Sequence, residues 1–275
     1  MFKWYGIFGA LLIIFSELNF FLKIQPFANW YFPIIWLGYI LLLDAIVYKV
    51  KGNSLISNRI GQFIGIVLIS VLFWWIFEFI NLIVQNWSYQ GLEGLSTWKN
   101  LFGSLSFATV LPAFFETVEL IRAFHLFEKR KLHKKHKITK QMIRGMLFLG
   151  VICFLLPFFM PKIAFPLVWL SFFFFLDPIN YLHKQPSILG HLKDRKLSLP
   201  LSLLLAGIIL GFFWEFWNYY AIPKWTYSIP YVGFFKIFEM PLLGYFGYFP
   251  FAFELYAMYW FVESLFSKKE STLMK

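Results

Sequence analysis

Long apolar stretches separated by short polar segments recur along the whole chain of 275 residues. Each stretch is about 20 residues long, the length at which an α-helix crosses the hydrocarbon core of a bilayer. Eight such stretches can be drawn, at residues 4–22, 31–49, 60–85, 103–127, 142–160, 163–182, 199–221 and 241–266. The pattern predicts an all-α, polytopic membrane helix bundle with eight transmembrane helices.

The composition supports this prediction. Hydrophobic residues make up 60% of the chain and charged residues 14%, whereas soluble domains average about 45–50% and about 25%. These proportions exclude a water-soluble globular domain. The single cysteine, Cys153, excludes an internal disulfide and a cysteine-based metal site.

Positive charge is distributed unevenly between the polar segments. With the N-terminus in the cytoplasm, 20 of the 25 Lys and Arg residues fall on the cytoplasmic side, including Lys268, Lys269 and Lys275 near the C-terminus. The positive-inside rule then predicts an inner (plasma) membrane protein with both termini in the cytoplasm. The same rule accounts for the net charge of +11, so we expect membrane lipids and no nucleic acid as partners.

Polar and aromatic positions of the first half recur in the second half, 133 to 138 residues later. The first repeat covers residues 1–127, a basic cytoplasmic linker covers 128–141, and the second repeat with a short cytoplasmic tail covers 142–275. Four predicted helices in each half make the repeats parallel, with a pseudo-two-fold axis along the membrane normal. The recurring pairs are Asp44 and Asp177, Tyr48 and Tyr181, Glu78 and Glu215, Asn81 and Asn218, Trp87 and Trp225, Tyr89 and Tyr227, and Glu116 and Glu254.

Acidic residues inside the predicted spans are the candidate catalytic groups. A charged side chain at the bilayer centre costs about 2.5–3.5 kcal/mol on insertion scales. A carboxyl group shielded from water is favoured in its neutral form, which can donate a proton. We therefore predict catalytic roles for Glu78, Glu215, Glu116 and Glu254. The alternative is that these groups are hydrogen-bonded only to join helices.

Other polar and aromatic residues are candidate binding residues because helical spacing places them beside the acids. Asn81 and Asn218 follow Glu78 and Glu215 by three positions, and Tyr48 and Tyr181 follow Asp44 and Asp177 by four. Glu239 belongs to the second half alone, where it could also cap a helix. Trp87 and Trp225 could equally form an interfacial aromatic belt. The candidate binding residues are Asn81, Asn218, Asp44, Asp177, Tyr48, Tyr181, Glu239, Trp87 and Trp225.

Three functions fit these residues. The first is acid–base chemistry on an apolar lipid or isoprenoid-like small molecule, by a cyclase, isomerase or hydratase, in which an acid protonates an alkene and aromatic faces stabilise the cation. The second is a proton-coupled or cation transporter or channel, and the third is a non-catalytic scaffold or assembly subunit. No cofactor or metal is predicted, because the five histidines lie at or beyond the cytoplasmic helix ends and no phosphate or dinucleotide motif occurs.

Overall fold

The structure is a computed structural model that describes residues 1–266. Lys268, Lys269 and Lys275, which contribute to the charge asymmetry, and the predicted cytoplasmic tail lie outside the described residues. The described chain is mostly helical, as the apolar pattern predicts. Its helices are α1 (Trp4–Leu22), α2 (Tyr31–Lys51), α3 (Leu55–Asn58), α4 (Ile60–Val84), α5 (Lys99–Phe107), α6 (Val110–Ala123), α7 (Lys140–Phe159), α8 (Pro161–Ala164), α9 (Val168–Leu182), α10 (Ile188–Lys193), α11 (Ser198–Tyr220) and α12 (Tyr248–Phe266).

Seven helical segments within residues 1–266 are long and apolar enough to cross a membrane. The last helix, α12, is not among them, because Tyr, Trp and Glu side chains lower its hydropathy. The chain is therefore an apolar helical protein suited to a membrane, and the eighth span stays a prediction. The seven segments are Trp4–Leu22, Tyr31–Lys51, Ile60–Val84, Lys99–Ala123, Lys140–Phe159, Pro161–Leu182 and Ser198–Tyr220.

Two of the predicted spans are interrupted in the structure. The stretch predicted at 103–127 divides into α5 and α6, and the hydroxyl of Ser70 on α4 binds the backbone at the break. It donates to the Phe107 carbonyl at 2.5 Å and accepts from the Leu111 amide at 3.0 Å. The stretch predicted at 241–266 begins with the end of a two-residue strand, Met240–Pro241, and continues as a 3-10 helix, Leu242–Gly247. Helix α12 therefore starts only at Tyr248.

Within residues 1–266, four short strands form two antiparallel ribbons, which the all-α prediction did not include. Strand β1 (Trp87–Gln90) follows α4 and pairs with β2 (Lys224–Tyr227), which follows α11. Strands β3 (Lys236–Ile237) and β4 (Met240–Pro241) form a small hairpin before α12. We call the end of the bundle that carries β1 and β2 the ribbon end.

The opposite end, which we call the basic end, holds α3, α10 and the segment between α6 and α7. That segment is attached by backbone hydrogen bonds from the Leu132 amide to the Arg195 carbonyl at 3.1 Å and from the Leu197 amide to the Arg130 carbonyl at 3.3 Å. The predicted linker is therefore fixed to the residues that precede α11.

The same helix contacts occur in both halves. In the first half, α1 packs on α2, and α6 contacts both α2 and α4. In the second half, α7 packs on α9, and α12 contacts both α9 and α11 in the same way. Across the halves, α6 contacts α11 and α4 contacts α12. Trp36 of α2 also contacts the second half, with its ring centroid 5.7 Å from that of Trp214 and 4.8 Å from that of Trp217, both on α11. Apolar and aromatic packing thus forms one continuous core through both halves.

Candidate functional site

A cavity of about 570 Å³ lies at the ribbon end, between elements of both halves. This volume is in the range of pockets that hold small organic ligands. Its walls are mainly aromatic, with Glu78 among the few polar groups. The aromatic residues of the wall are Phe32, Trp74, Trp75, Trp87, Tyr89, Phe102, Phe107, Phe165, Trp169, Trp214, Trp225, Tyr227, Tyr248 and Phe251.

Glu78, a predicted catalytic residue on α4, lies on the cavity wall. Its Oε1 accepts hydrogen bonds from the Tyr89 hydroxyl at 2.5 Å and from Trp87 Nε1 at 3.0 Å. The Trp74 indole lies beside the same carboxyl group. An ionised carboxylate has about four acceptor positions, so this group can accept a further donor from a ligand.

Glu215 of α11 has the corresponding partners but does not line the cavity. Its side chain is fully buried, and Oε1 accepts from the Tyr227 hydroxyl at 2.7 Å and the Tyr248 hydroxyl at 2.6 Å. Trp225 Nε1 donates to the Tyr227 hydroxyl at 2.7 Å. Both halves therefore bring a Glu, a Trp and a Tyr together, but only the Glu of the first half faces the cavity.

The tyrosines of these two clusters lie on β1 and β2, outside the helices. Burial and the neighbouring Glu78 carboxyl raise the pKa of Tyr89 well above its ordinary value of 10. Burial and Glu215 do the same for the pKa of Tyr227. Both phenols are therefore protonated at neutral pH and act as hydrogen-bond donors to the carboxyl groups.

Asn81 and Asn218, predicted as binding residues, hold the turns that lead into β1 and β2. The Asn81 amide donates to the Trp87 carbonyl at 2.8 Å, and its Oδ1 accepts from the Asn86 amide at 2.9 Å. The Asn218 amide donates to the Trp225 carbonyl at 2.8 Å, and its Oδ1 accepts from the Trp225 amide at 2.9 Å. These side chains position Trp87 and Trp225, which both line the cavity.

Glu116 and Glu254 are fully buried on α6 and α12 and do not line the cavity. Glu254 Oε1 accepts from the Phe172 amide of α9 at 3.0 Å. Glu116 lies within electrostatic range of Asp44, Glu119 and Arg59. The four predicted catalytic glutamates are thus not brought together in one cavity.

Asp44 and Asp177 bind the backbone at the basic end. Asp44 accepts from the Ile56 amide of α3 and the Ser54 hydroxyl, each at 2.8 Å, and from the Tyr5 hydroxyl. Asp177 accepts from the amides of Ile188 at 2.6 Å and Leu189 at 3.0 Å, at the start of α10. Both aspartates therefore satisfy orphan amides at a helix N-terminus, where a carboxylate is favoured.

The remaining predicted binding residues interact with lysines. The Lys3 ammonium lies 4.0 Å from the ring centroid of Tyr48, and the Lys193 ammonium lies 5.5 Å from that of Tyr181. Glu239, in the turn between β3 and β4, forms an ion pair with Lys224 at 2.6 Å. Lys224 lines the cavity and Glu239 does not.

A buried ion pair lies near the basic end. Glu119 is 1% exposed and accepts from Arg59 at 2.6 and 2.8 Å and from Lys51 at 3.3 Å. The charge of Glu119 is thus compensated by residues that the sequence places in a cytoplasmic loop. Within residues 1–266, no cluster of three or more His, Cys, Asp or Glu side chains could hold a metal ion.

Sequence reasoning missed several residues of the cavity. Tyr89 and Tyr227 belong to the repeated Trp-x-Tyr pattern, which could have indicated a shared role with the two glutamates. Tyr248 gave no such signal, because its counterpart in the first half is Val110.

No family model, no curated protein and no solved structure matches the chain.

Proposed function

We propose that the chain is a membrane-embedded enzyme that performs proton-donating acid–base chemistry on an apolar lipid or isoprenoid-like substrate in the cavity at the ribbon end. The observation that carries this proposal is the position of Glu78, which lines a cavity whose walls are mainly aromatic. A proton donor next to a space for an apolar molecule is the arrangement that protonation of a carbon–carbon double bond requires.

In the proposed reaction, the acid form of Glu78 transfers its proton to one carbon of the alkene and leaves a carbocation on the other. Loss of a different proton back to the carboxylate gives an isomerised or cyclised alkene. Addition of water to the cation, with transfer of one water proton to the carboxylate, gives an alcohol. Tyr89 donates a hydrogen bond to Glu78. It therefore stabilises the carboxylate that forms.

The aromatic rings of the cavity supply the second requirement. A cation over the face of an indole or phenol ring is stabilised by about 0.5–2 kcal/mol per contact. Trp74, Trp87 and Trp169 line the same space as Glu78. Glu215, sealed by Tyr227 and Tyr248, is proposed to support the fold of the second half, while Glu116 and Glu254 act at most indirectly through packing.

Transport of a proton or cation is the alternative, and the described contacts favour it less. Asp44 and Asp177 are engaged with backbone amides, and Glu119 is paired with Arg59. These groups are therefore committed to structural partners and do not extend the cavity toward the basic end. A scaffold without chemistry would not require an open cavity beside a carboxyl group.

We also propose that α12 is the eighth span, that the halves are parallel four-helix repeats, and that both termini lie in the cytoplasm of the plasma membrane. The β1–β2 register supports the repeat, because Trp87 faces Tyr227 and Tyr89 faces Trp225. A two-fold axis that exchanges the halves maps this pairing onto itself. The basic residues around the linker support the orientation.

Incorporation of deuterium tests the proposed chemistry. Membranes that contain the protein are incubated in D₂O with a total lipid extract, and lipids are analysed by mass spectrometry. Protonation at carbon gives a product that retains one deuterium after back-exchange in H₂O. Glu78→Gln should abolish that product, because the amide cannot donate the proton, whereas the exposed control Glu93→Gln should retain it. A product formed equally by Glu78→Gln would contradict the acid role.

A further inference from the structure

The cavity changes from polar to apolar along α5. Lys99 and Asn100, at the start of the helix, are exposed and line the cavity, whereas Phe107 at its end is 8% exposed and lines the same cavity. Phe107 follows Lys99 by eight positions on α5, a distance of about 12 Å at about 1.5 Å per residue. The cavity thus has an open polar mouth and a deep aromatic end.

Positive charge at this mouth is only partly compensated. Lys224 is neutralised by Glu239 at 2.6 Å, and its ammonium also lies 5.1 Å from the Tyr219 ring. Lys99 takes part in none of the ion pairs found within residues 1–266. An ammonium group and the Asn100 amide beside it therefore offer donors to an anion at the opening of the cavity.

The deep end of the cavity favours an uncharged, apolar group. Its walls near α5 are the rings of Trp74, Phe107 and Phe251. The centroid of Trp74 lies 5.8 Å from that of Phe107 and 6.2 Å from that of Phe251. An anion placed there would lose its hydration and would face the Glu78 carboxyl group. Electrostatics and desolvation thus orient an amphiphile with its charged group outward.

We propose that the ligand of this cavity is an amphiphile with an anionic headgroup, bound by Lys99 and Asn100 at the mouth, with its apolar chain among the aromatic rings beside Glu78. This proposal names the substrate class and rests on the proposed function. The headgroup chemistry is that of a carboxylate or phosphate, carried either by a single-chain amphiphile or by a membrane phospholipid.

Tryptophan quenching tests this headgroup preference. The protein is placed in nanodiscs of phosphatidylcholine and titrated at pH 8 with 9,10-dibromostearate or with the matching dibromo alcohol, whose bromine atoms quench nearby indoles. We expect saturable quenching, with the carboxylate bound about tenfold more tightly than the alcohol, because a hydrogen bond from an ammonium group to a carboxylate is stronger than one to a neutral hydroxyl. Lys99→Gln should remove the tenfold difference, and the exposed control Lys162→Gln should retain it.

A cavity-filling variant identifies where the probe binds. A Cβ at Gly103 would lie 3.7 Å from the Phe107 ring, an ordinary contact, so Gly103→Leu adds its side chain to the cavity with little strain. This variant should lose the saturable part of the quenching by both probes. Unchanged quenching would place the probe elsewhere and overturn the proposal.

Further outcomes separate this inference from the proposed function. Equal affinity of the wild-type protein for the carboxylate and the alcohol would overturn the anionic headgroup and leave the deuterium test of Glu78 standing. Retention of the tenfold difference in Lys99→Gln would also overturn it. Nanodiscs made with dibrominated phosphatidylglycerol distinguish a single-chain amphiphile from a membrane phospholipid as the ligand. Quenching that depends on Lys99 in these discs assigns the site to a phospholipid.

Discussion

The carboxyl groups of Glu78 and Glu215 occupy equivalent positions in the sequence but differ in their surroundings. This difference determines how much stability each Glu→Gln substitution should cost. Glu78 faces a cavity, whereas Glu215 is fully buried and accepts two phenol hydrogen bonds. Equivalent positions in the sequence therefore divide into one accessible group and one internal group.

Substitution of the two glutamates by Gln should lower the stability of the protein to different extents. Both phenols donate to Oε1 of Glu215, and an amide oxygen can accept the same bonds. Glu215→Gln also places an NH2 donor at the buried Oε2 position, which has no hydrogen-bond partner within residues 1–266, so we expect a lower unfolding temperature, equivalent to about 1–3 kcal/mol. Glu78→Gln should lower the unfolding temperature less, because its site is open to the cavity. Thermal unfolding in detergent, followed by tryptophan fluorescence, measures both. A larger loss in Glu78→Gln would contradict the assignment of Glu215 as the internal group.

His191 on α10, at the basic end, makes stability depend on pH. Burial, followed by the nearby charges of Arg122 and Lys196, lowers the pKa of His191 from 6.5 to about 4. Because the unfolded chain binds the proton more tightly, the stability contributed by neutral His191 is present above pH 6.5 and is lost as the pH falls toward 4. We expect His191→Gln to reduce the slope of unfolding temperature against pH in this window. An unchanged slope would show that other groups cause it.

The helices follow from local sequence, while their interruptions and the ribbons do not. Apolar stretches of sufficient length predict where α1, α4 and α11 lie. The break between α5 and α6 depends on Ser70, which is far away in sequence and binds the freed backbone groups. Pairing of β1 with β2 likewise requires two segments that are more than 130 residues apart, and Trp-x-Tyr alone does not indicate such a partner.

The register of β1 against β2 can be tested by cysteine cross-linking. Ser88 and Thr226 face each other, with their hydroxyl oxygens 3.4 Å apart. The double substitution Ser88→Cys with Thr226→Cys should therefore cross-link on mild oxidation, detected as a mobility shift that reductant reverses. The double variant Ser88→Cys with Ser228→Cys is the control and should cross-link much less, because Ser228 lies two residues after Thr226, just beyond the end of β2. Equal cross-linking in both would contradict the register.

The candidate site could be predicted from the sequence only in part. Repetition of Glu78 and Glu215 marks both as unusual, and the same repetition predicts Trp87 and Trp225 either as binding residues or as part of an interfacial aromatic belt. Repetition also selected Asp44 and Asp177, whose hydrogen bonds serve loop structure at the basic end. A repeat shows that a residue is required in both halves, but it does not separate a structural requirement from a chemical one.

The orientation of the whole molecule is tested by labelling. The two ends of the bundle are represented by Lys134 in the linker and by Gln90 on the ribbon, both exposed. In intact cells, an impermeant maleimide should label Gln90→Cys and should not label Lys134→Cys, while permeabilised cells should allow labelling of both. The native Cys153 is 2% exposed and should contribute little background. Labelling of Lys134→Cys from outside intact cells would reverse the proposed topology.

The ribbon that joins the halves is made of two strands whose sequences are near copies of each other. An antiparallel pair in which Trp faces Tyr at both ends is self-complementary, so the strand Trp87–Gln90 could pair with a second copy of itself in the same arrangement. A polypeptide containing only residues 1–127 would therefore carry an edge suited to homodimer formation.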